Sequence, residues 1–158
     1  MEFLEKIKDI ITKFTANKIT LAIAESCTGG YISNMFTNIS GASKVFERGI
    51  ICYSNSSKVT LLNVDPESID QYGAVSDTVA KQLANNIRIL SNVDIGIGIT
   101  GIAGPTGGTP EKPVGLVYIG ISTSDQTFVE KHHFDVDRIT FKTKILEKIL
   151  ILLQNFMK

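Results

Sequence analysis

Neither sign of charge dominates this chain: sixteen Lys and Arg residues balance sixteen Asp and Glu residues. The electrostatic reason to expect nucleic acid or an anionic membrane as the main partner is therefore missing. A local basic pocket for one small phosphate is still compatible with neutrality. Cysteine is scarce, and Cys27 and Cys52 form neither a disulfide framework nor a metal-ligand spacing. That scarcity fits a reducing compartment, and no metal or other cofactor is expected. Long apolar runs are also lacking, since none approaches the ~18 residues of a membrane span. The N-terminal MEFLEKIKDI is charged and amphipathic rather than a signal peptide. A cytoplasmic location is expected.

Several chemical fingerprints are absent as well. No Gly-x4-Gly-Lys-Ser/Thr occurs, which removes the P-loop, and no dinucleotide-binding glycine pattern replaces it. Gly-x-Ser-x-Gly is missing, so the nucleophile elbow of common serine hydrolases has no support. The glycines of GIAG, Gly101 and Gly104, are too few to be diagnostic. No low-complexity stretch or linker divides the 158 residues, a length that suits one domain spanning 1–158 with a core of its own.

What is present is alternation. Phe3, Leu4, Ile7, Ile10, Ile11 and Phe14 form a helical stripe at the start. The short apolar ITLAIA (19–24) reads as a buried strand, YISNMFTNI (31–39) as a helix stopping near Ser40-Gly41, RGIICYS (48–54) as a strand and NSSKVTLLN (55–63) as a helix. DPESIDQYG (65–73) has Pro at a helix start and Gly at its end. SDTVAKQLANNIRIL (76–90) opens on a Ser76 cap, with Val79, Leu83, Ile87 and Leu90 at helical spacing. VDIGIGIT (93–100) is a strand whose glycines predict close backbone approach. GIAGPTGGTPEKP (101–113), with four glycines and three prolines, is a loop. VGLVYIGIST (114–123) and TFVEKHHF (127–134) flank SDQ as a hairpin. Residues 138–156 carry Ile139, Ile145, Leu146, Ile149, Leu153 and Phe156 on a long closing helix. The pattern predicts a single three-layer α/β/α domain with a mixed, mostly parallel sheet that includes the C-terminal hairpin.

Ligands of open α/β sheets bind beyond the carboxyl ends of the strands. Three stretches fall at such ends: AESCTGG (24–30), YSNSSK (53–58) and TGIAGPTGG (100–108). In the first, a strand-to-helix turn would offer free N–H groups and a positive dipole end to an anion or a developing oxyanion. Gly29 and Gly30 permit close approach. Ser26 is either a nucleophile on this turn or, like Thr28, a helix cap. Cys27 competes with it, because a helix end lowers a thiol pKa. Glu25 could position a water or a cationic ring, or bond the helix N-terminus.

A serine nucleophile needs a base. His132 and His133 are adjacent in a strand and point to opposite faces, so at most one could serve. Lys58 is the better candidate, because a desolvated lysine can act as a base, and Ser–Lys pairs are an established solution. Its alternative is a solvated helix face. Tyr53 could relay a proton or orient the lysine. Arg48 and Arg138 could grip a phosphate with a planar fork, and Lys112 as a point charge.

Taken together, LAIAESCTGGYIS, GIICYSNSSK, YGAVSDTVA and ITGIAGPTGG…KPVGLVYIGI resemble the family of CinA C-terminal domains, whose characterised members are nicotinamide mononucleotide deamidases. The resemblance runs in order from about residue 3 to residue 156. It implies an amidohydrolase that converts nicotinamide mononucleotide to nicotinate mononucleotide and ammonia. Ser26 would be the nucleophile and Tyr53 and Lys58 its proton-handling partners. Thr28, Gly29 and Gly30, with the loop from Thr100 to Gly108, would surround the nucleotide. It also implies self-association as a dimer.

Departures exist. Val136-Asp137-Arg138 stands where the family often has Gly-Asp-Arg, which leaves Arg138 as a weaker candidate phosphate contact. Lys142 replaces a common second arginine, and Asn86 a frequent glycine. Many family proteins carry a preceding domain for a nucleotide-pyrophosphate-like or pterin-like ligand, and this sequence is expected to consist of the deamidase-like part alone. Two other readings share the pocket: a non-catalytic nucleotide- or partner-binding domain, and an amidase for a different small amide.

Overall fold

A computed structural model describes residues 2–157. Its elements follow the alternation in the sequence. The chain runs through α1 (Glu2–Ala16), β1 (Leu21–Glu25), α2 (Tyr31–Thr37), β2 (Phe46–Ile51), α3 (Asn55–Leu62), α4 (Pro66–Tyr72) and α5 (Asp77–Ser91). It then continues through β3 (Ile95–Gly101), β4 (Leu116–Ser122), β5 (Thr127–His133) and α6 (Arg138–Gln154). A single turn of 3-10 helix, Ala42–Lys44, precedes β2 and carried no sequence signal.

The five strands form one sheet in the order β2-β1-β3-β4-β5. β1 pairs in parallel with β2 and β3, whereas β3–β4 and β4–β5 are antiparallel. Four strands therefore point one way and only β4 opposes them. The sheet is mixed, and the hairpin supplies its antiparallel half.

Each face of the sheet carries its own core. Leu21, Ile23, Ile95, Ile97 and Ile99 face α1, α2 and α6, packing with Phe14, Phe36 and Phe141, all fully buried. Ala22 and Ala24 point the other way, toward Leu62, Val79, Leu83 and Ile87 of α3 and α5. The period of two along β1 and β3 thus sorts side chains into two layers of helices.

The glycine spacing of IGIGI has a packing cause. A Cβ on Gly96 would meet the Ala84 carbonyl oxygen at 2.1 Å, one on Gly98 the Ala84 nitrogen at 2.4 Å, and one on Gly120 the Ala80 oxygen at 2.6 Å. α5 lies almost directly on the sheet, and its contact residues Ala80 and Ala84 are small for the same reason.

Three apolar expectations shift. Leu90 is half exposed, so the buried stripe of α5 ends at Ile87. Ile139 is 79% exposed, in the first turn of α6. Phe156 packs against the core from beyond the end of α6.

The connections set up the site. β1 leads into α2 on one face, while β2 leads into α3 on the other. Chain departing to opposite faces from neighbouring parallel strands opens a crevice at their carboxyl ends.

Candidate active site

Ser26 is the first residue beyond β1. Its N–H donates to the Ile99 carbonyl at 3.1 Å, and its carbonyl accepts from the Gly29 N–H at 3.1 Å. These bonds hold the residue in register with β3 and close a tight turn, which Gly29 continues with φ 59°. The side chain does not cap α2. That task falls to Glu25, wholly buried, whose carboxylate accepts from the N–H groups of Gly30 (3.1 Å), Ile32 (3.1 Å) and Ser33 (2.8 Å) and from Ser33 Oγ (2.6 Å). Two expectations change with it. Glu25 is not placed to meet a ligand, and the N-terminus of α2 is already neutralised by a carboxylate rather than open to a foreign anion. What remains open is the turn itself: among the described residues, no acceptor takes the N–H of Cys27 or Thr28.

Lys58 reaches this turn from the other face. Ser54 caps α3 by accepting from the Ser57 N–H at 3.0 Å, and Lys58 follows at the end of the first helical turn. Its stem is enclosed, leaving the residue 2% exposed. Nζ lies 2.9 Å from Ser26 Oγ, 3.0 Å from the Cys52 carbonyl oxygen and 3.1 Å from that of Tyr53. No carboxylate pairs with it among the described residues. Burial without a counter-charge disfavours the ammonium form, and the pKa of Lys58 is lowered by that desolvation. The solvated-face alternative for this lysine is therefore overturned.

The three contacts also fit the neutral amine. Its two N–H bonds donate to the two carbonyls, and the single lone pair is left facing the Ser26 hydroxyl. That is the arrangement of a base and the group it deprotonates.

Around the pair lies a cleft of about 340 Å³, lined by Ser26, Cys27, Tyr53, Lys58, Thr100 and the start of the glycine-rich loop through Gly101 and Gly104. Its size suits a small-molecule site. Thr100 is buried and donates through Oγ1 to the Ala74 carbonyl at 2.8 Å, so it braces the cleft floor. Arg138, the first residue of α6, spans the mouth. Its Nη1 donates to the Gly104 carbonyl and its Nη2 to the Tyr53 hydroxyl, each at 2.9 Å. Tyr53 thus holds the lysine through its backbone, not its phenol, and the phenol is anchored to an arginine instead.

Other sequence candidates fall elsewhere. Arg48 sits opposite Ala22, nearer the amino end of β2, exposed and beside Glu47 at 3.4 Å. Only chain beyond Ile51 reaches the crevice, which excludes Arg48 from it. Lys112 is bound to the Tyr72 carbonyl and ties the loop to α4. His133 bonds the Val114 carbonyl at 2.9 Å, and His132 bonds Glu130 at 2.8 Å and stacks on Phe134, both away from the cleft. Thr28 is fully buried with no partner for its hydroxyl, and it, Gly29 and Gly30 do not line the cleft, although they shape the turn that does.

Cys27 does line the cleft, but burial pushes its thiol up to about 12. The expected lowering by a helix end fails because Glu25 occupies that end. Sequence reasoning gave no role to Asn55, Ala74 and Val75, which also line the cleft. Their signal was present in the quoted segments, yet nothing in a small or amide side chain distinguishes a wall from a turn.

The chain and its fold have counterparts among known proteins. A model of the CinA C-terminal domain family matches residues 4–157. The chain is 46% identical over 154 residues to a protein named as competence-damage inducible from Thermoanaerobacter pseudethanolicus, covering 97% of this chain and 37% of that protein. A CinA-like protein of Kosmotoga olearia is 47% identical over 137 residues, 87% of this chain and 33% of that one. The chain thus spans about a third of the curated relatives it matches. Among solved structures, the competence/damage inducible protein CihA from Agrobacterium tumefaciens superposes with a TM-score of 0.95 at 34% identity, covering 100% of this chain and 97% of that one.

Proposed function

The chain belongs to the CinA C-terminal domain family, and from that premise we propose that it is a serine amidohydrolase that deamidates nicotinamide mononucleotide to nicotinate mononucleotide and ammonia. One observation carries the reading: Lys58 Nζ, buried and without a counter-ion, stands 2.9 Å from Ser26 Oγ at the floor of a cleft. A binding module has no use for a desolvated amine facing a hydroxyl, whereas acyl transfer needs a base beside the nucleophile, which this amine can be.

The chemistry follows from the contacts. Neutral Lys58 takes the Ser26 proton as Oγ attacks the carboxamide carbon. The carbonyl π electrons move onto oxygen, which the Cys27 N–H, without a backbone acceptor on the turn at the cleft wall, would receive. When the tetrahedral intermediate collapses, the C–N bond breaks and the Lys58 ammonium returns its proton to the departing nitrogen, which leaves as ammonia. Water then loses a proton to Lys58 as it attacks the ester carbon; when the ester C–O bond breaks, the ammonium passes that proton to Ser26 Oγ, and the acid leaves as nicotinate. General-base action of this kind contributes about 10²–10⁴-fold. The Cys52 and Tyr53 carbonyls keep the amine aimed throughout, and Arg138 holds the Tyr53 phenol at the mouth.

Ammonia release from nicotinamide mononucleotide tests the assignment. Ser26→Ala and Lys58→Ala are expected to lose turnover by at least about 10²-fold. Cys27→Ala keeps its backbone N–H and is expected to retain activity. Full turnover by Ser26→Ala together with loss in Cys27→Ala would overturn the serine assignment. Tight nucleotide binding by the wild type without any product would favour a binding domain, and product only from other amides would reassign the substrate.

A further inference from the structure

Which group holds the substrate's phosphate is a separate question from the chemistry at Ser26. Arg138 looks the part by type, but its fork is committed: Nη1 to Gly104 and Nη2 to Tyr53. A guanidinium with those two obligations braces the cleft mouth rather than waiting for a ligand.

One helical turn further along α6 lies Lys142, on the same side of the helix by i, i+4 spacing. It is half-buried, and among the described residues its ammonium has neither a hydrogen-bond acceptor nor an acidic partner. Its Nζ stands only 3.8 Å from where a Cβ on Gly29 would be, and Gly29 is the exposed residue of the turn that follows Ser26. Its charge acts on the Cys27 thiol, which lines the cleft. The carboxylates nearest in sequence to this region are occupied: Glu25 holds the start of α2, and Asp137 caps α6 by accepting from Ile139 and Thr140. Lys142 therefore stands without an ionic partner among the described residues, next to a position with no side chain to obstruct an approach.

Resting on the deamidase reading above, we propose that Lys142 and the open turn at Gly29 form the subsite for the substrate's phosphate monoester, while Arg138 is a positioning residue that braces Tyr53 and the glycine-rich loop. The amide end of the substrate sits over Ser26 and Lys58. The phosphate leaves the cleft across Gly29 and lies against the Lys142 ammonium. A β-carbon at position 29 would narrow this exit.

The test compares kcat/KM for nicotinamide mononucleotide and for the same nucleoside without its phosphate. Wild-type protein is expected to prefer the phosphorylated form. In Lys142→Met, which keeps the apolar stem, that preference falls about tenfold, the size of one charge-assisted contact at a half-exposed site. Lys142→Arg restores most of it. Lys144→Met, a surface control whose partner is Glu147, keeps it. Inorganic phosphate competes with the nucleotide in wild-type protein and much less in Lys142→Met.

An unchanged preference in Lys142→Met, or no preference in the wild type, overturns the subsite. Absence of turnover on either substrate overturns the deamidase reading instead. The subsite is then read by calorimetry on Ser26→Ala protein, where tighter binding of the nucleotide that depends on Lys142 upholds it and equal binding rejects it.

Discussion

A buried lysine amine that faces two carbonyls and one hydroxyl has an acceptor for every proton of its charged form and a donor for the lone pair of its neutral form. Which form prevails is decided by burial, and here burial lowers the Lys58 pKa. Two consequences belong to this residue. Turnover should require the neutral amine, so log kcat/KM is expected to rise with pH by about one unit per pH unit below the Lys58 pKa and then level off. Rate profiles of the wild type check this, and a rate that does not fall on acidification anywhere in the range where the protein stays folded would remove Lys58 as the base.

Stability moves in the same direction. Between the lowered folded pKa and the unfolded value of 10.5, the unfolded chain holds the proton that the native one lacks. Native stability therefore rises with pH through that window and is weakened below it. Relative to Lys58→Met, the melting temperature of the wild type is expected to gain as pH climbs from 7 toward 10.

At the scale of elements, the joint between β1 and α2 decides how firmly Ser26 is held. Glu25 closes it, with the carboxylate on α2 and the backbone carbonyl accepting from Cys52 at 2.8 Å in β2's continuation. Both neighbours of the turn are fixed by one residue. Glu25→Gln retains size but replaces an acceptor oxygen with a donor nitrogen that confronts N–H groups. A loss of about 1–3 kcal/mol is expected, or several degrees of melting temperature for a domain of this length. If positioning is its role, kcat falls more than KM rises, and Glu25→Asp recovers neither fully because its shorter arm cannot reach the same donors. Equal activity of Glu25→Gln and wild type would separate the cap from the site.

For the molecule as a whole, the cleft exists because chain leaves the strand ends toward opposite faces and α6 returns to close the mouth. Arg138 is the tie between these parts, linking α6, the loop after β3 and the chain that follows β2 through two bonds. It is exposed, so Arg138→Met should barely alter global stability. It should, however, loosen the loop between Ile102 and Gly115, and amide exchange there is expected to quicken by roughly tenfold while the sheet is unaffected. Unchanged exchange in the loop would show that other contacts hold it.

Much of this was legible in the residues. Alternating apolar strands and periodic helices declared an α/β domain, because burial on both faces of a sheet leaves a mark in every strand. Ser76 and Pro66 marked helix starts, and the glycines of IGIGI marked where a helix would lie close. The three strand-end segments also announced a shared site. Sequence spacing did not reveal that Glu25 rather than Ser26 would cap α2, or that Lys58 would be enclosed instead of solvated. Local order is written in periodicity and turn chemistry, which act over a few residues. Whether a lysine is a base or a surface charge depends on which distant atoms surround its amine, and only the folded chain brings Ser26, Cys52 and Tyr53 to the same nitrogen.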